Sequence, residues 1–161
     1  MKTIILTRHA KSSWEFDVSD RERPLKKRGF KDANLVSKAF KREKIDSDAI
    51  FSSPANRALS TCKIFMKNMS IDPENIQIKE DLYDFGGDDV ISFLKSLDEN
   101  YQKVMIFGHN HAFTTICNIF GDKFIDNLPT SGLVVIDFDV DAWKDIKKGT
   151  TRLTIFPRDL K

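Results

Sequence analysis

Short apolar runs in this chain give way to longer stretches in which apolar residues recur every three or four positions, and the two patterns alternate from end to end. Lys2 to Thr7 is rich in β-branched residues and predicts a central strand. From about Lys26 to Lys44, Phe30, Ala33, Val36 or Ser37 and Phe40 recur at helical spacing, with lysine and arginine on the other faces. Ala49-Ile50-Phe51 predicts a short strand, broken by Ser52-Ser53-Pro54 before a helix carrying Ala58, Cys62, Phe65, Met66 and Met69. A weak strand is expected near Ile76 to Ile78. Gly86-Gly87 then precedes a helix with Val90, Leu94 and Leu97 on one face. Val104 to Phe107 is the next strand, followed by a helix presenting Phe113, Ile116, Cys117 and Phe120 to the core. Leu133 to Phe138 and Arg152 to Phe156 end the chain as two strands. Their short connection favours antiparallel pairing at one end of the sheet, with room for a helical turn around Trp143.

Strands alternating with helices predict an α/β fold: one domain over residues 1–161, with a mostly parallel central sheet flanked by helices and antiparallel strands at the C-terminus. Residues 8 to 24 are polar, end in Arg23-Pro24, and read as an active-site loop. The net charge of +2 gives no chain-wide attraction to nucleic acid or anionic membrane, so any anion binding must come from local charge. Lys26-Lys27-Arg28 and Lys41-Arg42-Glu43-Lys44 read as solvated helix faces. Cys62 and Cys117 fall in helical patterns with no C-x-x-C spacing and are expected to be small core residues. No secretory segment and no membrane-length apolar stretch is seen, which reads as a soluble cytoplasmic protein.

Two of the chain's three histidines share one setting. His9 follows the first predicted strand and His109 the fourth, each immediately beyond an apolar run. If both runs belong to one parallel sheet, both imidazoles emerge where open α/β sheets bind ligands. Arg8 brings a guanidinium fork matched to phosphate oxygens. Pro54 near a helix start places Arg57 in the opening turn, a position unfavourable for a cation unless an anion offsets it. Gly108 is expected to permit a tight turn before His109, and His111 to start the following helix. Thr130-Ser131-Gly132 enters a strand and supplies hydroxyl or backbone donors at the same edge if that strand runs antiparallel, making Ser131 a phosphate-binding candidate. A phosphate site is the leading idea, and no carboxylate spacing suggests a metal site.

Taken in order, Arg8-His9, Arg57 and Gly108-His109 resemble the histidine phosphatase superfamily, with its phosphoglycerate mutase-like fold. Arg8 to Trp14, Asp20 to Leu25, Arg28-Gly29 and Ser52-Ser53-Pro54-x-x-Arg57-Ala58 look most like its SixA phosphohistidine phosphatase group. Ala10 stands where glycine is usual. The resemblance implies that His9 is the nucleophile of a covalent phosphohistidine intermediate that water hydrolyses. Arg8, Arg57 and His109 would surround the transferred group, with no metal or other cofactor. Many larger relatives use a carboxylate as acid, and the candidates here are Glu80, Asp81 and Asp84. SixA-like proteins lack a clear equivalent. Imidazole, with a conjugate-acid pKa of about 6.5 against about 15.7 for water, can leave without a strong acid.

The expected substrate is therefore phosphohistidine on a protein, such as a phosphohistidine-carrying domain. A small phosphorylated molecule is the alternative, handled by the same site as a phosphomonoesterase or mutase. A phosphate-binding or protein-binding module without turnover is the third reading. Nucleic acid and membrane are not expected partners.

Overall fold

The computed structural model describes residues 1–161. Six strands form one sheet: β1 (Lys2–Arg8), β2 (Ala49–Ser52), β3 (Ile76–Ile78), β4 (Lys103–Gly108), β5 (Leu133–Phe138) and β6 (Thr150–Ile155). Their order is β3-β2-β4-β1-β5-β6. The first three pairings are parallel and the last two antiparallel, so the sheet is mixed, with its antiparallel edge formed by the C-terminal hairpin as expected. That hairpin carries a 3-10 turn at Trp143–Asp145.

Helices cover both faces, which is why the central strands are nearly continuous in apolar residues. Ile4 and Leu6 of β1, with Val104 and Ile106 of β4, face a core built with α3 (Asp88–Lys95) and α4 (Ala112–Phe120). Ile5, Met105 and Phe107 point the other way, into a core shared with α1 (Lys27–Arg42) and α2 (Asn56–Asn68). The two-residue period of the strands divides these sets cleanly. Cys62 and Cys117 are buried free thiols, and burial pushes the pKa of both well above the ordinary thiol range, so both are inert core residues. No helix is long and apolar enough to cross a membrane.

Several local expectations are corrected. Phe30 is 48% exposed rather than in the core. The first turn of α1 packs through Gly29, where a Cβ would collide with the carbonyl oxygen of Lys11, and this contact turns the neighbouring Phe30 outward. Met69 caps the end of α2 and is only partly buried. Pro54 lies ahead of the helix, whose N-cap is Ala55, leaving Arg57 as the second helical residue. Gly108 is an ordinary strand residue whose φ is not positive. It is small for another reason: a Cβ there would meet the Phe113 ring and the carbonyl oxygen of Leu82.

Candidate active site

β1 and β4 are adjacent and parallel, with Arg8 in register with Gly108, so the residues following each strand emerge side by side. The His9 N–H donates to the Gly108 carbonyl at 3.0 Å, and the imidazole centroids of His9 and His109 lie 5.3 Å apart. On the other flank β5 runs antiparallel, which brings its leading turn to the same edge. The Ser131 N–H donates to the carbonyls of both Arg8 and His9 at 3.2 Å. Ser131 adopts a left-handed φ of 62°, a conformation held here by those two bonds.

His9 is buried, and its Nδ1 lies 2.8 Å from the carbonyl oxygen of its neighbour Ala10. A carbonyl only accepts, so Nδ1 carries the hydrogen and Nε2 carries the lone pair. Burial, and then the positive charges of Arg57, Arg8 and Arg23, push the His9 pKa down to about 3 despite the opposing pull of that carbonyl. The ring is therefore neutral at physiological pH. The Ala10 N–H is held in turn by Thr61 Oγ1 of α2 at 2.9 Å, and Ala10 itself is fully buried, which explains the need for a small side chain there.

His109 is fully buried, with Nε2 2.8 Å from Ser53 Oγ. The Ala55 N–H donates to that same hydroxyl at 3.2 Å, leaving the hydroxyl proton free to be given to Nε2. In that arrangement Nδ1 bears hydrogen, and no protein group accepts it. Burial first, then His9, Arg57 and Arg8, bring the His109 pKa to about 3. Tyr83 and Phe85 pack against the same ring, with centroids at 5.3 and 5.1 Å.

Arg8 donates from Nη1 to the Leu128 carbonyl at 2.8 Å, and its buried Nε has no partner. Burial and the nearby Arg57 charge lower its pKa, yet a guanidinium stays protonated at neutral pH. Arg57 is buried. Its Nη1 donates to the Asp20 carbonyl at 2.6 Å and its Nη2 to the Asp20 carboxylate at 2.9 Å, while Nε is again without a partner. The anion that the helix-start position called for is thus supplied in part by the protein. Asp20 also accepts from Tyr83 at 2.6 Å and from Arg23 at 3.3 Å. Burial works against its ionisation, but the Tyr83 and Arg57 donors outweigh it and hold the carboxyl near a pKa of about 2. Arg23 is fixed by Ser12 Oγ at 2.6 Å and the Ser13 carbonyl at 3.1 Å.

The structure thus brings Arg8, His9, Arg57 and His109 together, with Ser131 beside them. Arg8 Nε, Arg57 Nε, His109 Nδ1 and Ser131 Oγ are all buried polar atoms without a protein partner. Buried groups of this kind are rare, and three such donors with one hydroxyl near the neutral His9 ring are of the kind that a tetrahedral oxyanion satisfies. Glu80 and Asp84 lie in other networks. Glu80 is exposed and forms a two-point pair with Arg21 at 2.7 and 2.9 Å. Asp84 accepts from the N–H groups of Gly86, Gly87 and Val90 and so caps α3. His111 is exposed at the N-cap of α4. The sequence reading had no role for Asp20, Arg23, Tyr83 or Phe85. Their only signal was the Asp20 to Leu25 motif and the aromatic residues inside a stretch read for its acids.

The sequence model of the histidine phosphatase superfamily (branch 1) matches residues 4–90, which hold three of the four convergent side chains and more than half of the chain. The chain belongs to the histidine phosphatase superfamily. Among solved structures, the protein histidine phosphatase SixA complexed with tungstate superposes on this superfamily member with a TM-score of 0.83, at 20% identity and covering 99% of both chains. A putative phosphohistidine phosphatase SixA from Agrobacterium tumefaciens gives a TM-score of 0.80 at 25% identity, over 96% of this chain and 97% of that one. Among curated proteins, the uncharacterized protein Rv1276c of Mycobacterium tuberculosis is 25% identical over 159 residues, covering 92% of this histidine phosphatase and 97% of the relative.

Proposed function

We propose that the protein is a phosphohistidine phosphatase of the SixA type. The observation that carries this reading is His9: an imidazole neutral at physiological pH, with Nδ1–H held by Ala10 and the Nε2 lone pair directed away from that bond. Nε2 attacks the phosphorus, and the bond to the substrate's imidazole breaks with its electron pair going to that ring, which carries a proton on its far nitrogen and so departs as neutral imidazole. Water then attacks the phosphoryl group on His9, releasing phosphate and restoring the ring. Arg8 Nε, Arg57 Nε and His109 Nδ1–H donate to the equatorial oxygens, with Ser131 Oγ beside them, so the positive field precedes the reaction and costs no reorganisation during it. Asp20 acts as a positioning residue, holding both Nη groups of Arg57 so that its Nε edge is left for the phosphoryl group.

The choice of leaving group is supported by the carboxylates. Glu80 is tied to Arg21, Asp84 is engaged by the N–H groups at the start of α3 and Asp20 stays ionised in its pair with Arg57, so none of the three is placed to protonate a departing alkoxide. A phosphoramidate, whose nitrogen leaving group needs far less assistance, suits such a site. The two SixA relatives support this choice by name, while an α-ribazole phosphatase from Shigella flexneri, with a TM-score of 0.68, has the same fold. Residues 14–22 on the rim are all exposed, which leaves access for a phosphorylated side chain on a large partner as well as for a small phosphorylated molecule.

The test is replacement of His9. In His9→Ala, hydrolysis of an aryl phosphate is expected to fall at least about 10⁴-fold, as when a covalent nucleophile is lost. The acid-labile phosphoenzyme trapped from the wild type should vanish while the circular dichroism spectrum is kept. Undiminished turnover in His9→Ala removes His9 from the chemistry. Turnover of aryl phosphate with no release of phosphate from phosphohistidine moves the substrate to small phosphomonoesters.

A further inference from the structure

Trp14, Phe16, Val18 and Phe85 are large apolar side chains left exposed on the two segments framing the site, Trp14 at 75% and Phe16 at 57%. Three of them alternate with acids in Trp14-Glu15-Phe16-Asp17-Val18, a period that elsewhere marks a half-buried strand, yet these residues pair with no strand. Trp14 is nevertheless held in place: the Arg23 guanidinium, itself buried, lies 3.2 Å from its ring centroid. A rigid exposed aromatic loses little entropy on contact, the property that makes such residues anchors in interfaces.

A cleft of about 410 Å³ separates this loop from the start of α1, lined by Ser13, Phe16 and the cations Lys26, Lys27 and Arg28. Arg28 pairs with Asp32 at 3.5 Å, whereas Lys26 and Lys27 form no ion pair. Glu15 also lines the cleft, so one carboxylate stands against three cations. The cleft lies near the site: Ser13 on its wall is four residues from His9, a reach of no more than about 14 Å. A small phosphoramidate held at the histidines ends short of it, but a polypeptide bearing the phosphorylated side chain is long enough to reach it.

We propose that this cleft is the docking surface for the phosphohistidine-bearing polypeptide. The partner sets carboxylates over Lys26 and Lys27 and an apolar side chain against Phe16 and Trp14. The proposal rests on the phosphohistidine reading above and goes further by fixing the partner's chemistry as acidic and apolar beside the phosphorylated residue.

Two synthetic peptides with one phosphohistidine each, one flanked by Asp, Glu and Leu and the other by Lys and Ser, test it on the intact protein. The wild type is expected to prefer the acidic peptide in kcat/KM by about tenfold, with the preference shrinking as salt rises. Phe16→Ala/Lys26→Glu/Lys27→Glu should abolish the preference and leave aryl phosphate hydrolysis within about twofold, because these side chains lie outside the phosphoryl site. Equal hydrolysis of both peptides by the wild type overturns the docking surface while leaving the phosphatase reading intact. Hydrolysis of neither peptide, with aryl phosphate still turned over, overturns both. Loss of aryl phosphate activity in the triple variant makes the surface part of the site itself, and a wild-type dimer that the variant converts to monomer makes it a self-association face; either result overturns the proposal. The wild-type peptide comparison decides the matter even if the triple variant does not fold.

Discussion

Lys2 and Arg8 occupy opposite ends of the same central strand, and both carry their charge into the protein. Lys2, 1% exposed, donates from Nζ to the carbonyls of Glu99 and Tyr101 at 2.8 Å each, with the Glu99 carboxylate at 3.5 Å and the Trp143 ring centroid at 5.4 Å. All of its hydrogen-bonding capacity is absorbed at the amino end of the sheet. Arg8, at the carboxyl end, has one carbonyl partner and a buried Nε with none. A buried cation whose donors are satisfied by its own chain locks a fold. A half-buried one whose Nε lacks an acceptor, beside a second guanidinium whose Nε also lacks one, raises the free energy of the folded chain until an anion joins it. Burial alone does not separate structural from functional charge; the state of the donors does.

Exchanging the fates of these two cations is the sharpest way to break the comparison. Arg8→Ala is expected to lower kcat/KM on an aryl phosphate by about 10²- to 10³-fold, the usual loss for one charge-stabilising donor, with little change in the urea midpoint. Lys2→Ala should do the reverse. Two carbonyls and a carboxylate lose their donor, costing about 3 kcal/mol of unfolding free energy, while the folded fraction keeps its kcat. Lost activity in a fully folded Lys2→Ala, or a collapse of stability in Arg8→Ala, would refute the division.

Acid titration gives the next largest effect. His9 and His109 have folded pKa values near about 3, below the ordinary value of 6.5, so the unfolded chain binds more protons between these limits. Stability should accordingly be full above pH 6.5 and fall as pH drops through the window toward 3, by up to about 1.4 kcal/mol per pH unit for each ring. Urea unfolding at pH 7 and pH 5 measures it. A His9→Asn/His109→Asn variant should be less sensitive over that range, and an unchanged slope would mean that these rings are protonated in the folded state.

The smallest effects concern the two acidic candidates. Asp84→Ala removes the acceptor of the Gly86, Gly87 and Val90 N–H groups at the start of α3 and should cost about 1 kcal/mol of stability. Glu80→Gln weakens only an exposed pair and should leave the urea midpoint essentially unchanged. Both should keep kcat on an aryl phosphate within a few fold. A large fall in kcat for either, confined to substrates with poor leaving groups, would instead make that carboxylate the acid.

Period and punctuation in the sequence were enough for the six strands, the four helices and the antiparallel C-terminal pair, because each element carries its own burial pattern. The four convergent side chains were legible for a related reason: each sits at or just past the end of a strand or at a helix start, so knowing that these strands run parallel places them at one edge. Phe30 was misjudged because helical spacing says which residues share a face but not where along the helix a neighbouring loop intrudes. Gly29 against Lys11 settles that contact, and it exists only between segments distant in sequence. Gly108 was read as a turn for want of the same knowledge, since the Phe113 ring and Leu82 carbonyl that demand its smallness arrive from other elements.

The linear order of residues therefore determined which groups could carry the chemistry: two histidines and two arginines at element ends, in a chain that folds as alternating strands and helices. Only the tertiary structure decided their condition. That the His9 proton sits on Nδ1, that Asp20 rather than a bound anion engages both Nη groups of Arg57, and that Glu80 and Asp84 are held elsewhere follow from contacts across gaps of up to 59 residues in the chain. Hydrogen bonds and burial act over a few ångströms of space, and no local pattern of residues encodes a distance of that kind.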